Sequence, residues 1–366
     1  MLIATFYNSI TLYSKLRLFS CLLLFTFLHF SCNKKKEPRQ IETAFYYWKS
    51  ILNLTNFEKQ KLDSLKVKTI YLKIFDVDWD ETSKQPLPVA KLTVNEESIK
   101  SLRAPGTNNF KLNVIPVIFI TNECIKNIDS AQIIQLADNI SDLTFKLISG
   151  NAFNDILEIQ FDCDWTESTK EKYFDLINLF KKRFTHTPLS ATIRLHQIKF
   201  LSKTGIPPVD RGLLMCYNMG NLKNPATNNS ILETEELKKY TSNLSRYPLP
   251  LDVAFPLFNW KVLYRNNMYS GLIQGLPDAV FTNFFCTKTG NRYQILKDTL
   301  LQGYNLRKGD IFRDEQSEIK VVLAAAGVVS RHLKNTPLRV SLYHLDSVIL
   351  SKYSTHELES IYNSLY

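Results

Sequence analysis

Eight times along this chain a short alternating apolar and polar run gives way to a stretch of helical periodicity, and few architectures accept that rhythm. The alternating runs are TAFYYWKS from Thr43, TIYLKIFDVDWDE from Thr69, KLNVIPVIFITNE from Lys111 and LEIQFDCDWTEST over 157–169. They continue with LSATIRLHQIKF from Leu189, RGLLMCYNMG from Arg211, LPLDVAFPLFNW ending at Trp260 and LRVSLYHLDSV from Leu338. Helix signals lie between them. Asn56 can cap FEKQKLDSL, and Ser130 can cap a stripe of Ile133, Leu136, Ala137, Ile140 and Leu143 that Gly150 stops. Ser168 to Glu171 and Ser354 to Glu357 read as capping boxes. The pattern predicts an α/β fold, a (β/α)8 barrel of TIM type, as one domain over residues 43–366. Residues 261–316 are too long for a simple connection and read as an insertion between strands seven and eight that shapes a site or pads the barrel.

The fourth run carries the chemistry. Leu157, Ile159, Phe161 and Cys163 fall on one face, and Glu158, Gln160, Asp162 and Asp164 on the other. An apolar outer face suits covering helices, and an acidic inner face suits a barrel mouth. Like charges held close raise each other's pKa, so two carboxylates at one strand tip are costly without a task. The other tips add acids, amides, tyrosine and flat aromatics. Trp48 ends strand one, Asp76, Asp78 and Asp80 strand two, and Asn122 and Glu123 strand three. His196 and Gln197 end strand five, Tyr217 and Asn218 strand six, Asn259 and Trp260 strand seven, and His344 and Asp346 strand eight. Aromatic faces stack on sugars, and a carboxyl pair can protonate a glycosidic oxygen.

Upstream, Lys15 and Arg17 precede the apolar run LFSCLLLFTFLHFSC, which ends at Ser31 and Cys32. The segment resembles a bacterial lipoprotein signal peptide over residues 1–31, with Cys32 as the lipidation site and 32–42 as a polar tether. The expected product is an exported, membrane-anchored lipoprotein of a bacterial cell envelope. The rival is an uncleaved N-terminal anchor, for which the run is short of the ~20 residues a spanning helix needs. The formal charge of +10 is shared between this region and lysines and arginines dispersed among acids, which fits solubility and a membrane surface rather than nucleic acid. Cys124, Cys163, Cys216 and Cys286 have no zinc spacing, so no metal or cofactor is expected, and Cys163 and Cys216 read as small buried thiols.

Strand four, FDCDWTE, resembles the D-x-D-x-E strand of the family 18 glycoside hydrolases, the chitinases and their relatives. Met215 to Asn218, MCYN, resembles that family's M-x-Y-D strand, and Trp260 is similar to the tryptophan that floors its sugar site. The chain also resembles a group of uncharacterised bacterial barrel lipoproteins with a strand-one Y-x-W and a strand-four D-x-D. The resemblance implies a carbohydrate partner, with Asp162, Asp164 and Glu167 as candidate catalytic residues. Trp48, Asp76, Asp78, Tyr217, Asn218, Trp260, His344 and Asp346 are the candidate substrate-binding residues. The match is incomplete. If Asp162 and Asp164 are the family's two aspartates, Thr166 stands at the acid position and Glu167 is one residue late. If the register moves by two, Gln160 and Asp162 support and Asp164 is the acid. Asn218 replaces an aspartate. Three functions follow: a lipid-anchored glycoside hydrolase-like barrel acting on an envelope or environmental glycan, a non-catalytic glycan-binding or scaffold lipoprotein, and a metal-dependent hydrolase using the acids of strands two and four.

Overall fold

The computed structural model describes residues 39–103, 112–151, 153, 156–333 and 337–366. Cys32 and the segment expected to be a signal peptide lie outside these residues. Eight parallel strands form a closed ring: β1 (Ile41–Tyr47), β2 (Thr69–Asp80), β3 (Asn113–Ile120), β4 (Ile159–Asp162), β5 (Leu189–Arg194), β6 (Arg211–Met215), β7 (Leu251–Pro256) and β8 (Leu338–Tyr343). Each strand pairs with its neighbour in chain order, and β1 closes the ring by pairing Phe45 with Ile70 on one side and with Leu342 on the other. All eight runs read as strands are barrel strands.

The outer face of β4 is packed as its alternation requires. Ile159, Phe161 and Cys163 are fully buried, and the Phe161 ring meets Phe180 of helix Lys170–Arg183 edge-on at 4.9 Å. The inner face is buried as well: Glu158, Gln160 and Asp162 are 6%, 0% and 4% exposed. Buried polar groups need partners inside the ring. At the base Arg339 supplies them, reaching Glu42 at 2.8 Å, Glu158 at 2.9 Å and the Tyr71 hydroxyl at 3.0 Å. Cys124, Cys163, Cys216 and Cys286 are buried free thiols. No helix among the described residues is long and apolar enough to cross a membrane.

The helix caps shift from their sequence reading. Thr55 caps helix Asn56–Ser64 through a box with Glu58, and Asp129 caps helix Ser130–Gly150 through a box with Gln132. Each cap sits one residue before the expected Asn56 and Ser130. The box expected at Ser168 does not form. Thr169 precedes that helix, but its hydroxyl donates to Asn122 at 2.7 Å and accepts the Thr166 N–H, so it is spent on the loops after β3 and β4. Ser354 and Glu357 form the box read for helix Thr355–Asn363.

Strand β2 contains a register shift between Lys73 and Phe75. Simple alternation puts Asp76 and Asp78 with Ile70, Leu72 and Ile74. The extra residue reverses that parity, so Asp76 joins Tyr71 and Lys73 on the inner side. The segment between β7 and β8 is a sheet of its own. Strands 268–273, 259–265, 311–316, 292–295 and 286–289 pair antiparallel in that order. Phe281, Phe285, Tyr293, Ile295 and Phe312 build a separate small core beneath it. Barrel strand β7 stops at Pro256, so Trp260 belongs to this sheet and not to a barrel tip.

Candidate active site

Strands β4 and β5 run parallel with Gln160 opposite Ser190. From that point upward, three successive inward positions pair between β5 and the line of β4, the last of them just past the end of β4. Gln160 Nε2 donates to Ser190 at 3.2 Å, the Thr192 hydroxyl donates to Asp162 at 2.6 Å, and Arg194 grips Asp164. The guanidinium Nη2 lies 2.8 Å from Asp164 Oδ2, and Nε contacts Oδ1. A bidentate fork of this kind fixes the carboxylate's orientation as well as its charge. Gln160 also accepts from the Tyr46 hydroxyl at 2.5 Å. The residues read as the acidic inner face of β4 therefore do line the interior, at increasing height.

Burial separates the two aspartates. Asp162 is almost fully enclosed, and its carboxyl is pushed up to about 6, first by burial and second by the charge of Asp164. The Thr192 hydroxyl and Arg194 pull it back only in part, and Asp76 adds to the rise. Asp164 is 49% exposed in its side chain. Glu167 sits in the turn before the helix, exposed, with Lys203 3.6 Å away. Thr166 is also exposed and its hydroxyl bonds with Ser168 and Thr169.

A wall of rings faces the acids. Tyr343 is its centre, with ring centroids 5.6 Å from Trp48, 5.3 Å from Tyr217 and 5.7 Å from Phe258. Trp48 and Tyr343 are half-buried, whereas Tyr217 is 2% exposed with a hydroxyl that has no partner among the described residues. Burial pushes the Tyr217 hydroxyl well up from its ordinary pKa, with Tyr343 adding to it. Lys73 stands 5.4 Å over the Trp48 ring and pairs with Asp76 at 2.8 Å. Burial nonetheless raises the Asp76 pKa, and its Oδ1 has no partner among the described residues.

Of the remaining candidates, Asn218 lines a small cavity with Arg194 and Tyr217 and His344 adjoins Tyr343, while the others hold structural duties. Asp78 accepts from Thr121 at 2.9 Å, on the loop after β3. Asn218 is exposed with φ 55°, and its N–H donates to Ile231 at 2.7 Å. Trp260 is 6% exposed, packs on Phe258 at 5.1 Å and donates its indole N–H to Glu315 at 2.6 Å, so it forms part of the wall's support. Asp346 caps helix Ser347–Leu350 and pairs with Lys49 at 2.7 Å, which holds its carboxyl low against the effect of burial. His344 is half-buried beside Tyr343, its pKa lowered by burial.

Arg194, Thr192 and Tyr343 were absent from the sequence reading. Their signal was the same alternation that exposed β4. Ser190, Thr192 and Arg194 recur at period two in β5, and Arg339, Ser341 and Tyr343 do so in β8. Among the described residues, no group of three or more His, Cys, Asp or Glu is placed to hold a metal ion.

No sequence-family model matches the chain, and no curated protein matches it in sequence. Its fold does have close counterparts. The C-terminal domain of a putative chitinase from Desulfitobacterium hafniense superposes with a TM-score of 0.54 at 10% identity, covering 90% of this chain and 100% of that one. A chitinase from Chromobacterium violaceum gives 0.52 at 8% identity over 90% and 98%. The spore cortex-lytic enzyme SleL from Bacillus cereus gives 0.52 at 12% identity over 90% and 75%. At such identities the likeness carries the architecture alone, a (β/α)8 barrel that this chain shares with these proteins.

Proposed function

We propose that the mouth of this barrel binds an oligosaccharide or polysaccharide and acts on it by glycoside hydrolase-type chemistry. The observation that carries the reading is Asp162. It is a nearly enclosed carboxyl pushed up to about 6, two residues from Asp164, and its charge acts on the half-buried Tyr343. A group poised near the working pH can donate a proton and take it back. The solved structures that share the fold are named chitinases and a cortex-lytic enzyme, which supports a glycan as partner. Trp48 and Tyr343 would stack on the sugar, and Tyr217 and Asn218 would hold it.

Within this reading the acid is Asp162. Both oxygens of Asp164 are engaged by Arg194, and Glu167 is turned to Lys203. Asp164 would stabilise positive charge developing on the sugar. The same ion pair favours a second reading, a barrel that binds a glycan without cleaving it. Release of reducing ends from an oligosaccharide panel separates the two. Hydrolysis by the wild type, falling ~100-fold or more in Asp162→Asn, supports the enzyme. Binding without release, in wild type and both aspartate variants, supports the binding-only barrel. We further propose export and lipid anchoring through Cys32, on the strength of the leader sequence alone.

A further inference from the structure

The loop after β6, residues 221–232, has no regular structure, yet it carries the site residues Tyr217 and Asn218 at its root. A loop of this length costs conformational entropy to order, and its carbonyl groups need donors. The antiparallel insertion supplies both order and donors. Tyr264 donates to the Leu222 carbonyl at 2.6 Å, Arg313 to that of Asn224 at 2.8 Å and Arg292 to that of Pro225 at 2.9 Å and of Thr227 at 3.3 Å. Asn291 donates to the Asn228 carbonyl at 2.8 Å, and Glu315 accepts the Ser230 hydroxyl at 2.5 Å. Arg313 and Glu315 are themselves fully enclosed and paired with each other.

The far end of the loop returns to the mouth. The Asn218 N–H donates to Ile231 at 2.7 Å, and the Gly220 N–H to Ser230 at 3.1 Å. The two limbs approach so closely that a Cβ on Gly220 would lie 2.7 Å from the Ser230 Cα. Ser230 thus touches the insertion with its side chain and the root of the loop with its backbone. Asn218, in the left-handed region at φ 55°, is held there by the same closure.

We infer that the insertion is a clamp that fixes Tyr217 and Asn218 at the barrel mouth by way of the β6 loop, with Arg292 and Arg313 as its positioning residues. Neither arginine is placed at the mouth itself. The effect of the clamp on ligand rests on the proposed saccharide site, whereas its effect on the loop does not.

Hydrogen exchange on the full-length protein tests the clamp. Arg292→Ala removes donors to two loop carbonyls, so exchange of the Asn218 and Gly220 amides should accelerate by about tenfold or more while the amides of β7 and β8 keep their protection. Arg292→Lys, which restores one donor, should recover part of it. Arg265→Ala breaks an ion pair to Asp310 inside the insertion without touching the loop and should leave both amides as they were. Unchanged exchange in Arg292→Ala, or equal acceleration in Arg265→Ala, overturns the clamp. The second readout is affinity for whichever oligosaccharide the wild type binds. Arg292→Ala should weaken it about tenfold. Faster exchange with undiminished affinity overturns the claim that the clamp sets the mouth. If the wild type binds no saccharide, the proposed function falls, and the exchange data still decide the clamp.

Discussion

Arg194, the last residue of β5, and Asp164, two residues past the end of β4, meet as fork and carboxylate above the Thr192–Asp162 hydrogen bond. The parallel register makes this ladder. Once Gln160 lies opposite Ser190, every second residue of β4 meets every second residue of β5. The lower rung encloses an acid, and the upper rung carries a charge pair at the opening.

The enclosed acid has a consequence for stability. An unfolded aspartate titrates near ~3.9, and Asp162 in the fold titrates at about 6. Between those values the folded protein binds more protons, so stability falls as pH rises through the window, by an amount on the order of 2–3 kcal/mol once above pH 6. Asp162→Asn removes that cost. It should therefore be more stable than wild type in denaturant melts at pH 8 and no more stable at pH 4. A variant equally stable or weaker at pH 8 would contradict the assignment.

Removing Arg194 should move the Asp162 titration. The guanidinium favours the ionised carboxylate, and it also offsets the charge of Asp164, which disfavours it. Arg194→Ala therefore raises the Asp162 midpoint above about 6, readable from carboxyl carbon shifts in a pH series. Stability should change by no more than about 1 kcal/mol, because the pair is partly solvated. A midpoint that falls shows the guanidinium does not act on Asp162.

The rings divide into a half-buried pair, Trp48 and Tyr343, and the supporting Phe258 and Trp260. Trp48→Ala should weaken saccharide affinity about tenfold or more. Trp260→Phe should leave affinity nearly unchanged, yet cost about 1–3 kcal/mol, since Glu315 loses a buried donor. Calorimetric titration and denaturant melts on both variants check this. The reverse order of effects on affinity would return Trp260 to the sugar platform.

Much of this was legible in the sequence, and the failures have physical causes. Barrel strands announce themselves because each has an apolar face toward the helices, which is why all eight were found. The insertion sheet did not, because its strands bury Lys261, Arg313, Asp314 and Glu315 in ion pairs, and buried charge reads as exposed turn. The inward parity of Asp76 depends on one extra residue near Ile74, invisible to a period-two count. Arg194 escaped because its meaning lies in its partner across the ladder. Asp346 looked like a mouth acid and is a helix cap, a duty that depends on three-dimensional position.

The leader makes its own prediction. If Cys32 is acylated, the wild type fractionates with membranes and carries a lipid-modified N-terminal cysteine by mass spectrometry. Cys32→Ser should lose the modification. An unmodified, uncleaved N-terminus on the wild type would favour a simple apolar anchor.

Calorimetric titration of oligosaccharides into wild type and Asp162→Asn at pH 6 bears most directly on the barrel mouth as a sugar site. The account predicts saturable binding by the wild type and a change in affinity or enthalpy when the Asp162 charge is removed. Heats no larger than dilution across neutral, N-acylated and acidic sugars would contradict it.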